Sequence, residues 1–209
     1  MKTLLLAAVL AVSTSAAWAQ SETTGTETEA EAEAPAASPD AGLSLGTVEG
    51  EAAIGETYVR EEFSQWQLRC VRSQGDRDPC QLYQLLRDQN DNPVAEFNIF
   101  PLPAGRPAAA GANIITPLET LLTANLRMAV DGGQPKVYPF SFCSNIGCFS
   151  RIGLTEEEVG AFRAGNAALI TIVPAAAPNE TVELSLSLSG FTAGFNALVA
   201  ASEAPAASE

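Results

Sequence analysis

Strict alternation of apolar and polar residues is the feature that most restricts the fold of this chain. In the segment 181–189, one valine and three leucines alternate with threonine, glutamate and serine residues. A second example is Trp66, Leu68 and Cys70, which alternate with polar neighbours. A period of two places all the apolar side chains on one face, as a half-buried β-strand requires.

Similar patterns, separated by turn signals rich in Gly, Asn and Asp, predict further strands along the chain. These strands lie near residues 80–87, 93–100, 112–116, 124–131, 135–142, 147–152 and 167–173. One helix is predicted after Thr155, because Thr155 and Glu158 have the spacing of a capping box and Gly165 follows as a stop. Short strands at near-regular spacing predict a mainly β fold, a single antiparallel β-sandwich with one short helix.

Four cysteines occur as two close pairs, Cys70 with Cys80 and Cys143 with Cys148. Four thiols allow three pairings, and we favour bridges within each close pair because each pair flanks a turn signal. Neither spacing is the two-residue gap of a thioredoxin-type redox motif, and only one of them suits a four-thiolate zinc site. We therefore interpret the cysteines as structural disulfides, each contributing about 2–3 kcal/mol through a closed loop.

The amino terminus has the pattern of a secretory signal peptide. A positive start at Lys2 precedes an apolar run at 4–12 and a small-x-small site at 17–19. Polar residues interrupt this run well before the roughly 20 apolar residues that a membrane span needs. We predict cleavage near Ala19-Gln20 and a mature protein that is periplasmic, associated with the outer membrane or secreted, without a membrane span.

The rest of the chain divides by composition. Residues 20–62 contain eleven Asp and Glu residues against the single basic residue Arg60, and are built from Glu, Thr, Ala, Ser, Pro and Gly. Such a stretch buries too little apolar surface to offset its ordering entropy, so we predict a disordered acidic linker. We expect the β domain to span 63–198 and a second disordered tail to span 199–209.

Composition also excludes several functions. The formal net charge of −14 opposes binding to nucleic acid. The chain has no histidine, which removes a Ser-His-Asp triad and the commonest general base and zinc ligand.

Two short motifs resemble functional sites but lack the required surroundings. Residues 42–46 match the G-x-S-x-G nucleophile elbow around Ser44, yet they lie in the low-complexity linker and no histidine is present to activate the serine. Residues 88–93 resemble a calcium loop, but Pro93 stands where glycine is needed and Ile99 where a bidentate glutamate is needed. We interpret the first motif as chance and the second, with Asp88 and Asp91, as an Asx-rich hairpin turn.

Several arginines form a looser candidate for a carbohydrate or anion site. They are Arg69, Arg72, Arg77 and Arg87 near the first hairpin, with Arg127 and Arg151 in strands. Solvated strand faces also carry such charges, and we favour that interpretation. Asn179 begins a glycosylation sequon that has meaning only in a cell with the required machinery.

Six segments together resemble one known family. They are 66–70, 79–85, 99–103, 139–143, 147–149 and 187–195. Over roughly 63–198 they are similar to the invasion-associated locus B family of alphaproteobacterial envelope proteins, with both cysteine pairs in order. The resemblance implies an exported, non-enzymatic domain of immunoglobulin-like β-sandwich type, named for a role in host-cell entry. It implies no catalytic residue, cofactor or metal ligand.

Three functions follow as hypotheses. The first is a module that binds a protein or envelope partner through its sheet face or loops, as a monomer or weak homo-oligomer. The second is an envelope-maintenance factor without host contact. The third, an enzyme, would need paired carboxylates converging in a cleft, whereas most acidic residues of the domain fall in turn signals or on the helix.

Overall fold

The computed structural model describes residues 52–103 and 105–203. All of these belong to one compact unit, Thr47–Glu209. The predicted signal peptide, the Ser44 motif and most of the predicted linker lie outside the described residues.

Strands dominate the described residues. They are β1 (Thr57–Phe63), β2 (Trp66–Val71), β3 (Cys80–Arg87), β4 (Pro93–Pro101), β5 (Ala110–Thr116), β6 (Leu126–Val130), β7 (Lys136–Tyr138), β8 (Phe142–Ser144), β9 (Gly147–Leu154), β10 (Ala167–Ile172) and β11 (Val182–Ser187). The helices are α1 (Glu156–Ala164), α2 (Phe191–Glu203) and a short 3-10 helix (Leu122–Ala124). The predicted mainly β, antiparallel and sandwich-like fold class is confirmed.

The predicted strand at 135–142 is two strands instead of one. Strand β7 ends at Tyr138 and β8 begins at Phe142, so Pro139 lies between them. Proline has no N–H to donate to a sheet, which explains the interruption. The Pro139 carbonyl instead accepts a hydrogen bond from the Ser150 hydroxyl at 3.0 Å.

Regular secondary structure begins within the segment 20–62, which we predicted to be a disordered linker. Strand β1 starts at Thr57 and pairs with β2 along its length, with a bulge near Arg60. Of its side chains, only Tyr58 and Phe63 are partly buried. The side chains of this strand are acidic and mostly exposed, so the sequence did not predict it. The strand is held by backbone pairing.

A second helix corrects the prediction of one short helix and of a tail from residue 199. Helix α2 runs to Glu203 and buries Phe191, Phe195 and Leu198, which have helical spacing. Gly190 precedes it with φ +85°, and a Cβ at this position would overlap the Phe63 carbonyl. Only glycine fits this entry into the helix.

The strands form one curled antiparallel sheet in the order β7-β6-β10-β11-β3-β4-β5-β9-β8, with β1 joined through β2 to β3. Strand β3 joins two parts of this sheet, because it pairs with both β2 and β11. Its first half pairs with β2, whereas β11 pairs with it only through Ser185 opposite Arg87. The two parts of the sheet thereby enclose a single apolar core.

The Gln84 side chain completes the connection between these two parts. Its amide donates to the Ser187 carbonyl at 2.9 Å, and its Oε1 accepts from the Ser187 N–H at 2.8 Å. Trp66 Nε1 donates to the same carbonyl at 2.8 Å. A buried side chain thus supplies hydrogen bonds that a regular strand neighbour would otherwise make.

Helix α1 begins as predicted. The Glu158 N–H donates to the Thr155 hydroxyl, and the Glu158 carboxylate accepts from the Thr155 N–H, which completes the capping box. The helix buries Val159 and Phe162 and ends before Gly165.

Both predicted disulfides are present. Cys70 is bonded to Cys80 and Cys143 to Cys148. Each bridge joins directly opposed residues, the first between β2 and β3 and the second between β8 and β9. Each bridge therefore fixes the register of a strand pair.

The segment 88–93 is the predicted Asx-rich turn between β3 and β4. One oxygen of the Asp88 carboxylate accepts from the N–H groups of Asn90 and Asn92, at 2.8 and 2.9 Å. Hydrogen bonds from the Asn92 side chain, the Asn92 N–H and the Asn90 N–H hold the pKa of Asp88 below its usual value. The carboxylate is thus engaged within its own turn.

Asp131 makes a testable contribution to stability at neutral pH. The N–H groups of Ala167 and Asn166 donate to its carboxylate at 3.0 Å, and they hold its pKa below the usual value. A depressed folded-state pKa gives stability above the unfolded-state pKa of about 3.9, which is lost as pH falls through the folded value. We expect Asp131→Ala to lower the thermal midpoint at pH 7 and to flatten its decline between pH 5 and pH 2.

Thermal unfolding at a series of pH values checks this expectation, with Asp76→Ala as the control at another turn aspartate. Equal pH dependence of the Asp131→Ala variant and the unsubstituted protein would contradict the assigned role.

Candidate interaction surface

The solvent-side face of strands β3, β4, β5, β9 and β8 forms a continuous surface, which we call the outer face. Residues that oppose each other in neighbouring strands share a face. One such row runs Leu85, Glu96, Ile115, Phe149 and Phe142 across five strands. The opposite face of these strands contributes to the core.

This row and the adjacent hairpin tip carry exposed apolar side chains. The exposed fractions are 36% for Leu85, 49% for Phe142 and 69% for Ile146. The Phe142 and Phe149 rings stack with centroids 4.6 Å apart, and a shallow cavity joins Leu85, Ile115 and Ile146. We call Leu85, Ile115, Phe142, Ile146 and Phe149 the apolar patch. Glu96 lies between Leu85 and Ile115 in the same row. Grouped exposed apolar side chains with polar neighbours are typical of an interaction site.

A cation–π pair lies beside the patch on the outer face. The Arg69 guanidinium lies 3.2 Å from the centroid of the Tyr83 ring, and its Nε and Nη2 donate to Gln67 Oε1. Burial raises the pKa of the Tyr83 hydroxyl and the Glu96 charge raises it further, whereas Arg69 acts in the opposite direction. This arrangement fixes Arg69 as part of the surface.

The neighbouring cross-strand row is polar. Asn98, Asn113 and Arg151 oppose one another on β4, β5 and β9. Asn113 and Arg151 line an open cavity of about 380 Å³ together with Phe100 and Ser141. The outer face thus combines an apolar patch with a polar, cationic cavity.

A separate cleft of about 580 Å³ lies beside the two helices. Apolar residues such as Val159 and Phe195 line it, together with two glutamates and two arginines: Glu156, Glu203, Arg106 and Arg163. Arg163 is engaged with α2, because its Nη1 donates to Asn196 at 2.9 Å. The carboxylates in this cleft are accompanied by an equal number of guanidinium groups.

The arginines singled out in the sequence do not form one site. Arg72 pairs with Asp78 at 3.0 Å, Arg77 donates to the Ser202 carbonyl, and Arg87 donates to the Asp91 carbonyl. Arg127 is exposed on β6. Arg151 lies on the outer face opposite Asn113, and Arg87 shares the exposed face of β3 with Leu85. Arg69 lies on the neighbouring strand β2, opposite Gln81. Asn179 is exposed in the loop before β11.

The carboxylates with lowered pKa values have structural roles. The Ser73 N–H and the Tyr58 hydroxyl lower the pKa of Asp78. The side chain and N–H of Asn92 lower the pKa of Asp88, and backbone N–H groups lower that of Asp131. Burial opposes ionisation of Glu158, but hydrogen bonds from Lys136 and Thr155 outweigh it and lower its pKa. No cluster of three or more His, Cys, Asp or Glu residues suited to a metal occurs among residues 52–103 and 105–203.

Sequence reasoning did not identify the apolar patch, although one signal could have found it. A bridge between Cys143 and Cys148 places Phe142 directly opposite Phe149, as observed. Asn113 gives no comparable signal, because its neighbours across the sheet depend on pairings between distant segments.

Comparison with known proteins supplies further evidence. The model of the invasion associated locus B (IalB) protein family matches residues 66–199. Among solved structures, the crystal structure of invasion associated protein B from Bartonella henselae matches with a TM-score of 0.57 and 23% identity, covering 68% of this chain and 97% of that one. No curated protein matches. None of the helices in the described part of the chain is long and apolar enough to cross a membrane.

Proposed function

Because the chain belongs to the IalB family, we propose that it is an exported, non-enzymatic envelope protein that binds a protein or envelope partner through the apolar patch. The observation that carries this proposal is the group of apolar side chains at the β8–β9 hairpin, where Phe142 stacks on Phe149 and both Phe142 and Ile146 are exposed. A few buried side chains supply most of the binding energy at protein interfaces, and aromatic residues such as Phe are enriched at the centres of these interfaces.

Two features support export. The signal-peptide pattern at 1–19 predicts translocation, and the two disulfides suit an oxidising compartment. The proposed location is the periplasm, the outer membrane or the extracellular space.

The chemistry of the described residues supports a non-enzymatic role. Histidine is absent from the chain, and Asp78, Asp88 and Asp131 each bind nearby N–H groups in turns. Carboxylates held in this way stabilise loops and are poorly placed to transfer protons to a substrate.

The identity of the binding partner distinguishes two biological roles. The Bartonella henselae neighbour is described as an invasion associated protein, which supports a role in host-cell entry. The alternative is envelope maintenance without host contact, served by the same patch. Crosslinking in intact cells, followed by mass spectrometry of the captured protein, identifies the partner and separates the two roles.

The patch is tested by the double substitution Phe142→Gln and Ile146→Gln. Both side chains are exposed, so we expect the thermal midpoint to change by no more than a few degrees. Loss of two apolar anchors should weaken binding to the identified partner at least about tenfold, or about 1.4 kcal/mol. Titration of the purified partner measures the change.

The matched control is Val137→Gln with Leu169→Gln, which are exposed at 57% and 41% on β7 and β10, two strands that do not contribute to the outer face. We expect this control to bind normally. Weakened binding in the control together with normal binding in the patch variant would refute the proposal.

A further inference from the structure

The two disulfides of the domain differ in how accessible their cysteines are. Cys70 is completely buried, and Cys80 is half-buried against the core. In the second bridge Cys148 is buried, whereas Cys143 is exposed on the edge strand β8. A thiolate opens a disulfide by attacking one of its sulfur atoms, so access to that atom limits the rate. The second bridge is therefore the one that an external thiol reaches first.

Few contacts besides this bridge hold β8 to the rest of the sheet. The strand has three residues and pairs with β9. The Phe142 and Phe149 rings stack, and the Ser141 N–H donates to the Phe149 carbonyl at 2.7 Å. At the hairpin tip the Ile146 N–H donates to the Ser144 hydroxyl at 3.4 Å. A short, exposed edge strand of this kind opens locally at low cost unless a covalent link holds it.

The first hairpin is held by a polar network in addition to its bridge. The Ser73 N–H and the Tyr58 hydroxyl donate to the Asp78 carboxylate at 2.8 and 2.7 Å. Arg77 joins the same loop to α2 by donating to the Ser202 carbonyl at 2.8 Å. The two bridges thus differ both in access and in what remains when they open.

The second bridge is also part of the structure that forms the apolar patch. Phe142 directly precedes Cys143, and Ile146 lies inside the loop that the bridge closes. These two side chains are the exposed apolar groups of the β8–β9 hairpin. Their positions depend on β8 remaining paired with β9.

From these features we infer that the Cys143–Cys148 disulfide is a redox switch for the apolar patch, opened by a dithiol protein of the thioredoxin type. With the bridge closed, β8 is paired and the patch binds its partner. With the bridge open, β8 separates from β9 and the patch is lost. This inference rests on the proposed function, because it concerns regulation of the same surface.

The reaction is a two-electron thiol–disulfide exchange. The thiolate of the reductant forms a bond to Cys143 Sγ, the bond to Cys148 Sγ breaks, and the electron pair leaves with Cys148, which takes up a proton. The second thiol of the reductant loses its proton and attacks the reductant sulfur of the mixed disulfide. Cys143 then leaves as a thiolate and takes up a proton. The reductant ends as a disulfide, and this protein carries two thiols.

Timed reduction of the mature protein by dithiothreitol measures the selectivity. Samples are alkylated with iodoacetamide, and peptide mass spectrometry locates the modified cysteines. We expect Cys143 and Cys148 to become reactive at least about tenfold faster than Cys70 and Cys80. Equal rates, or faster opening of the first bridge, would overturn the inference.

A thioredoxin that retains only its attacking cysteine tests the direction of the exchange, because it traps the mixed disulfide. We expect this thioredoxin to be linked to Cys143, the exposed cysteine. Linkage to Cys148, or to either cysteine of the first bridge, would contradict the assigned route.

Hydrogen exchange shows whether the open bridge releases β8. In protein with only the second bridge reduced, amides of 141–149 should exchange at least about tenfold faster, while β2 and β3 remain protected. Unchanged exchange at 141–149 would show that β8 stays in place without the bridge. Faster exchange throughout the domain would show a bridge needed for the whole fold, which is also incompatible with a switch.

Partner binding completes the test, with the protein captured by crosslinking at the patch as the probe. The selectively reduced protein should bind it at least about tenfold more weakly, and reoxidation should restore binding. The variant Cys143→Ser with Cys148→Ser should bind weakly with or without dithiothreitol. Selective reduction that leaves binding unchanged overturns the switch alone. Normal binding by the oxidised variant Phe142→Gln with Ile146→Gln overturns the proposed function, and the switch with it.

Discussion

Replacing Trp66 by alanine should lower the free energy of unfolding by about 3–5 kcal/mol. The Trp66 side chain is fully buried, and its ring centroid lies 5.9 Å from that of Phe97 and 5.4 Å from that of Phe191. The substitution leaves a cavity between the sheet and α2 and removes the indole hydrogen bond to Ser187. Chemical denaturation followed by far-UV circular dichroism measures the loss.

The matched variant Trp66→Phe retains an aromatic ring but lacks the indole N–H. Gln84 still donates to the Ser187 carbonyl, so that acceptor keeps a partner. We expect a smaller loss of about 1–2 kcal/mol. Equal stability of the alanine and phenylalanine variants would contradict the view that Trp66 organises the core by its volume.

Replacing both Cys70 and Cys80 by alanine should cost about 3 kcal/mol under oxidising conditions. The bridge closes a loop with a sequence separation of 10, and loop entropy alone gives roughly this value. Its location adds to the effect, because Cys70 is completely buried and β2 holds Trp66 in the core. The same denaturation measurement tests the prediction.

The Cys143–Cys148 bridge provides the comparison. It closes a shorter loop between β9 and the edge strand β8, with a separation of 5, and its expected contribution is about 2 kcal/mol. Its removal should affect β8 first and weaken partner binding through Phe142. If this loss destabilised the protein more than loss of the first bridge, the core would depend on the β8 edge in a way that the structure does not explain.

The local parts of the fold were predictable because their signals are local. Alternation located β2 and β11, and the capping box at Thr155 located the start of α1. The disulfide pairing followed from turn signals between each pair of cysteines. In each case a short segment contains the whole pattern.

Most of the missed parts depend on long-range contacts, although the helical spacing of Phe191, Phe195 and Leu198 was a local signal for α2. Strand β1 has little apolar periodicity and is stabilised by pairing with β2, while α2 is positioned by packing against Trp66 and Phe162. The role of Gln84 depends on Ser187, which is 103 residues away in the sequence. No pattern within a single segment carries that information.

The outer face also combines a part that the sequence predicts with a part that depends on long-range strand pairing. The bridge between Cys143 and Cys148 was predicted, and it implies that Phe142 and Phe149 are paired. The extension of the patch to Ile115 and Leu85 requires the order of β3, β4, β5 and β9 in the sheet. That order comes from tertiary structure, so the surface could not be assembled from the sequence.

Site-specific photo-crosslinking in intact cells tests the interaction surface most directly. A photoreactive phenylalanine at Phe142 reports on the patch, and the same group at Leu169 reports on an exposed position of β10. We predict a discrete crosslinked partner from position 142 and none from position 169. A partner captured at position 169 with none at 142 would show that the protein binds through another face.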